Sequence, residues 1–182
     1  MSPSAPFRRG FARLCLYRLV GMVSIPEETP LTREPVASSE IAICLWFDGK
    51  AEEAVAHYLG VFQDGRITKT FRPRPDAPAL TVAFELRGRP FLALNGGPMY
   101  TFTPAVSLMV DCADQVEIDH YWTRLCEGGQ AGRCGWLTDK FGLSWQIMPR
   151  ALPSLLARGG AMQAMMKMDK LDIAALERAG EN

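Results

Sequence analysis

The chain has 182 residues, 48% of them apolar, which is enough for one packed domain or for two small modules sharing a core. Its 20 basic and 20 acidic side chains cancel, so no overall field gathers nucleic acid or anionic lipid, and neither partner is expected. The five cysteines form no CxxC pair and the two histidines no HExxH pair, which excludes a disulfide scaffold and a histidine-rich metal site and suits a reduced, cytoplasmic protein.

Residues 1–39 read as a flexible basic leader and linker. Arg8, Arg9, Arg13 and Arg18 occur with no acid before Met22, and Phe7, Phe11 and Leu14 recur at helical spacing, as in an organelle presequence or a basic amphipathic anchor. The run Leu14 to Val20 is broken by Arg18 and is too short to span a bilayer, so the competing reading is an unstructured leader ahead of a true start at Met22. Ser24 to Ser39 is rich in Pro, Glu, Thr and Ser.

Order begins at Glu40. Ile41 to Phe47 is an apolar, partly β-branched run ended by Asp48-Gly49, as in a buried strand. A helix follows, with Ala51, Ala54, Val55, Tyr58, Leu59 and Phe62 on one face, Glu52 and Glu53 in the first turn, and Asp64-Gly65 at its end. Strands are predicted at Arg66 to Arg72, Leu80 to Arg87 and Pro90 to Leu94, with Arg87-Gly88-Arg89 as a hairpin turn.

After a loop from Asn95 to Pro104 the pattern restarts. A strand at Ala105 to Asp111 precedes a helix from Gln115 to Glu127, where Asp114 and Glu117 have capping-box spacing and Ile118, Tyr121, Trp122 and Leu125 form a stripe. Further strands are predicted at Arg133 to Thr138 and Leu143 to Ile147, joined by the turn Asp139-Lys140-Phe141-Gly142, and one strand of this half looks shortened or missing. Residues 150–182 read as a helical tail, with pieces at Leu152 to Ala157, Ala161 to Met168 and Ile173 to Ala179, the last capped by Asp172. The cluster Met162, Met165, Met166 and Met168 reads either as ordinary packing or as a plastic surface.

The repeated βαβββ order defines an α+β domain over 40–149, built of modules 40–97 and 105–149. Three stretches carry a resemblance: Leu45-Trp46-Phe47-Asp48-Gly49-Lys50-Ala51-Glu52-Glu53-Ala54, Leu94-Asn95-Gly96-Gly97-Pro98, and the block from Cys134 through Trp145-Gln146-Ile147-Met148-Pro149. With the tail from Met168 to Ala179, they resemble the PhnB-like family of the vicinal oxygen chelate (glyoxalase-like) superfamily. The resemblance implies paired βαβββ modules forming a cupped mixed sheet, and a homodimer. Members often carry a demethylubiquinone methyltransferase label, yet no GxG turn joins a strand to a helix in this chain.

Metal-using relatives in the superfamily place ligands at four strand positions, which match Ala42, Ala93, Ala105 and Gln146 here. Three alanines cannot ligate a metal, so neither a metal nor another cofactor is expected. Strand alternation around those positions predicts a cup lined by Cys44 and Trp46, Phe91 and Asn95, Ser107 and Met109, and Ser144 with Gln146. Such a lining suits a small, partly apolar organic ligand. The alternatives are an enzyme acting on a small carbonyl, quinone or phosphonate-like compound, and a dimeric assembly module without a ligand. Cys44 reads as a buried thiol and Asp139 as a turn former.

Overall fold

The computed structural model describes residues 41–181; the expectations for residues 1–39 lie outside them. The first module runs β1 (Ile43–Phe47), α1 (Ala51–Phe62), β2 (Arg66–Phe71), β3 (Thr81–Leu86) and β4 (Arg89–Asn95). The second repeats it as β5 (Ser107–Cys112), α2 (Gln115–Cys126), β6 (Gln130–Ala131), β7 (Trp136–Thr138) and β8 (Ser144–Pro149). The shortened strand of the second half is the two-residue β6. Both modules have the same topology, β1-β4-β3-β2 and β5-β8-β7-β6, with β1 parallel to β4, β5 parallel to β8, and the other pairs antiparallel.

Local chemistry explains the boundaries. β3 and β4 are joined by Arg87-Gly88, both at positive φ (51° and 71°), the geometry that a two-residue hairpin loop needs to follow the right-handed twist of its strands. α1 ends on Gln63 in the left-handed conformation, ahead of the expected Asp64-Gly65, because the Gln63 N–H turns back to the Leu59 carbonyl. α2 starts where expected: the Asp114 carboxylate accepts from the Glu117 N–H at 2.9 Å, while the Glu117 carboxylate accepts from the Ala113 N–H at 2.8 Å, one residue before the usual capping-box partner.

Each sheet buries one face under the helices. Leu45, Phe47, Phe91 and Ala93 lie on that face of the first sheet, packed with Val55, Tyr58 and Phe62 of α1; Val110, Trp145 and Ile147 lie on that of the second, packed with Ile118, Tyr121 and Leu125 of α2. The two sets form one core. The Phe62 ring stacks on Tyr121 (centroids 5.1 Å apart) and on Trp145 (5.6 Å), so the modules are joined through their helix sides. Among the described residues, β1 and β5 each end a sheet with no strand beyond them.

The tail docks as α3 (Leu152–Leu156), α4 (Ala161–Met165) and α5 (Ile173–Gly180). Gln115 at the start of α2 holds it from both sides: its amide nitrogen donates to the Leu171 carbonyl and its oxygen accepts from the Ile173 N–H. Asp172 caps α5 through the Ala175 N–H, and Leu171 and Leu176 are fully buried. Met162 and Met166 are exposed. No helix among the described residues is long and apolar enough to cross a membrane.

Candidate functional site

Six of the eight residues expected to line a cup lie on sheet faces turned away from the helices. In the second module the parallel register pairs Ser107 with Ser144 and Met109 with Gln146, so all four share that face. The Gln146 amide donates to the Ser107 hydroxyl at 2.8 Å, and Met109 is 62% exposed. In the first module Cys44 and Trp46 occupy the corresponding face, alongside Leu92 and Leu94. Trp46 is anchored there: its indole N–H donates to the Gly97 carbonyl at 2.8 Å, and Tyr100 meets it edge-on at 4.9 Å. Gly96 leaves room for the Trp46 ring, since a Cβ at that position would overlap it.

Phe91 and Asn95 belong to the opposite face. Their register partners on β1 are Ile43 and Phe47, not Cys44 and Trp46, so the expected grouping is corrected by one residue along β4. Phe91 and Ala93 are buried against the helices. The Asn95 side chain completes the fold: its oxygen accepts from the Ala51 N–H at the start of α1 (2.9 Å), and its amide donates to the Ala79 carbonyl (2.9 Å).

The same register decides how well a metal would fit. Ala93 is fully buried on the helix side, Ala42 and Ala105 are exposed positions ahead of their strands, and the Gln146 amide is engaged with Ser107. No three His, Cys, Asp or Glu side chains cluster among the described residues. These residues do not fit a divalent ion, which needs several converging oxygen or nitrogen donors.

Between the modules lies a cavity of about 490 Å³. Its apolar wall is Ile43, Phe62, Leu86 and Phe91 from the first module with Leu108, Val110 and Trp145 from the second. Ser107 and Met109 also reach it, so three of the expected lining residues (Phe91, Ser107 and Met109) meet here; Cys44, Trp46, Asn95, Ser144 and Gln146 do not line it. Five consecutive residues of β5, Ser107 to Asp111, line the space, which means that the unpaired edge of that strand faces it. Arg87, Arg89 and Arg150 complete the lining with Asp111. The sequence reading missed these arginines, although Arg87 and Arg89 flank the glycine of a predicted hairpin and Arg150 follows the last strand directly.

Cys44, expected as a buried thiol, is instead exposed on the face of β1 turned away from the helices, though partial desolvation still raises its thiol above the ordinary value. Cys112 is buried, which pushes its thiol up to about 12, so neither is a ready nucleophile. Asp139 is 3% exposed: one carboxylate oxygen accepts from the Phe141 and Leu143 N–H groups, the other from the Tyr58 hydroxyl and the Trp145 indole. It closes its turn as expected and is fully hydrogen-bonded. His57 packs against Phe141 and Tyr58, and its Nε2 is buried with no hydrogen-bond partner.

A family model described as 3-demethylubiquinone-9 3-methyltransferase matches residues 39–148. Among solved structures, a PhnB protein from Bacillus cereus, itself described as a 3-demethylubiquinone-9 3-methyltransferase, is 32% identical over 60% of this chain and 98% of its own, with a TM-score of 0.56. A protein from Pseudomonas aeruginosa is 19% identical, over 62% of this chain and 98% of its own, with a TM-score of 0.52. A fosfomycin resistance protein, FosX, from Listeria monocytogenes, in complex with Mn(II) and a dihydroxypropylphosphonic acid, is 15% identical over 65% of this chain and 98% of its own, with a TM-score of 0.50. These last two likenesses concern the fold alone. No protein in a search of curated sequences matches the chain.

Proposed function

The chain belongs to the PhnB-like family of the vicinal oxygen chelate superfamily, the family whose model is described as 3-demethylubiquinone-9 3-methyltransferase, and from that premise we propose that it is a metal-free protein that binds small, partly apolar organic molecules. The cavity between the modules carries this reading. Its volume falls within the usual range for small-molecule sites, about 300–1,000 Å³, and an apolar wall with a few polar groups is the usual composition. Methyl transfer is not part of the proposal. A donor such as S-adenosylmethionine usually sits on a glycine-rich strand-to-helix turn in a doubly wound sheet. Here β1 joins α1 through Asp48-Gly49-Lys50, and Gly96 lies against the Trp46 ring.

An enzyme reading has one specific residue in its favour. Asp111 is the carboxylate that lines the cavity, in position for general-base work on a small carbonyl, quinone or phosphonate-like substrate. We propose a homodimer as well, because β1 and β5 leave apolar strand edges unpaired and such edges are normally covered. A cytoplasmic setting is proposed with it, in keeping with the free thiols of Cys44, Cys112, Cys126 and Cys134.

A thermal-shift screen of small aromatic and quinone compounds tests the binding reading. A ligand at a hundredfold excess over Kd stabilises by about 2.7 kcal/mol. Leu108→Trp, which narrows the cavity, should remove the rise in Tm, and Trp46→Ala, on the far sheet face, should preserve it. A broad library without hits, or a rise lost only in Trp46→Ala, would overturn the assignment to this cavity.

A further inference from the structure

Resting on the reading of the cavity as a binding site, we infer that its ligand is a small amphipathic anion, an apolar ring or chain bearing a carboxylate. The apolar body has its match in Phe62, Phe91, Leu108 and Trp145. The charge is read from the arginines. Arg87 is already held: its guanidinium donates to the Tyr121 hydroxyl, lies 3.4 Å from Asp64 and 3.8 Å from Glu117, and sits 5.7 Å from the centre of the Tyr121 ring. Arg89 and Arg150 are exposed and pair with no carboxylate among the described residues. Guanidinium groups present planar donors that match a carboxylate bidentately.

A second observation points the same way. The Ser107 hydroxyl oxygen accepts from Gln146, so its own hydrogen is left to donate. The side chains lining the space are therefore rich in donors, with Asp111 as the opposing acceptor. With a neutral ligand Asp111 is the one negative charge in a lining that holds three arginines, whereas an anion adds a second.

Calorimetric titration of the full chain with phenylacetate and with its neutral isostere phenylacetamide tests the inference. Phenylacetate should bind about tenfold more tightly, a difference of ~1.4 kcal/mol, and the preference should shrink as salt rises. The Arg89→Gln/Arg150→Gln double variant should abolish the preference, bringing phenylacetate down to the affinity of phenylacetamide; both positions are exposed, so the fold should persist. Asp111→Asn should strengthen phenylacetate binding by removing the opposing charge. Equal binding of the two probes, or a preference that survives the double variant, would overturn the anion assignment while leaving the cavity a binding site. Binding of neither probe at millimolar concentration would overturn both.

Discussion

Tyr58 on α1 of the first module donates its hydroxyl hydrogen to Asp139 in the β7–β8 turn of the second, at 2.8 Å, and both side chains are buried. This bond crosses between the modules at the point where Trp145 donates to the same carboxylate oxygen at 2.9 Å. The sequence separation of 81 residues makes it a purely tertiary contact. Burial and the nearby Asp139 charge together hold the Tyr58 phenol well above its ordinary range, so it serves as a donor throughout the working pH range.

Removing that carboxylate should be costly. Asp139→Ala strips the acceptor from four donors, and each buried donor left unpaired costs about 1–3 kcal/mol, with the contributions not additive. Tyr58→Phe removes one donor and should cost about 1 kcal/mol. Urea unfolding should rank Asp139→Ala well below Tyr58→Phe, and equal midpoints would count against a shared network.

His57 should make stability depend on pH. Burial, reinforced by Lys140, lowers its folded-state value below the ordinary 6.5, against the opposing pull of Asp139 and Glu127. The unfolded chain then binds the proton more readily than the folded one, so the contribution of neutral His57 is intact above about 6.5 and is lost as pH falls through the lower folded value. His57→Phe keeps the ring contact with Phe141 and removes the unpartnered nitrogen. The urea midpoint should fall more steeply between pH 7 and pH 5 in the parent than in His57→Phe, while equal slopes would exclude His57 as the source.

Asn95 tests the corrected register. If it anchors α1 and the Ala79 loop rather than a ligand, Asn95→Ala should cost about 1–2 kcal/mol by denaturation. The Tm rise produced by any ligand from the screen should stay the same size; loss of that rise in a folded Asn95→Ala protein would restore Asn95 to the site.

Gly96→Ala should expel the Trp46 ring, because the added methyl overlaps it and the indole bond to the Gly97 carbonyl holds the ring in place. The expected signature is a red shift in the part of the fluorescence that Trp46→Phe removes, with a loss of about 1–3 kcal/mol in stability. An unchanged spectrum would mean that the loop yields instead.

Assembly is read by light scattering. Cys44→Lys and Met109→Lys each place a charge on the exposed face of an end strand, where pairing with another sheet is disfavoured. A parent dimer converted to monomer by either change supports the proposed homodimer, and a concentration-independent parent monomer refutes it.

The element order and the duplication of βαβββ were legible from the residues alone, because hydrophobic spacing and turn chemistry act over a few neighbours. So were the helix-facing side of β1, where Leu45 and Phe47 are buried, although Cys44 was expected to be buried and is exposed, and the faces of β5 and β8, where polar or sulfur-bearing residues alternate with aliphatic or aromatic ones. β4 was not legible in this way. Pro90-Phe91-Leu92-Ala93-Leu94 is apolar at every position, so a period of two carries no parity there, and only the pairing of Cys44 with Leu92 decides which side each residue takes. The Asp139 turn likewise reads as surface, and its burial depends on α1 arriving from the other module. The cavity depends on tertiary structure in the same sense: Ile43, Arg89 and Arg150 come together only once Phe62 stacks on Trp145, and that docking is set by packing between distant segments, which local sequence does not encode.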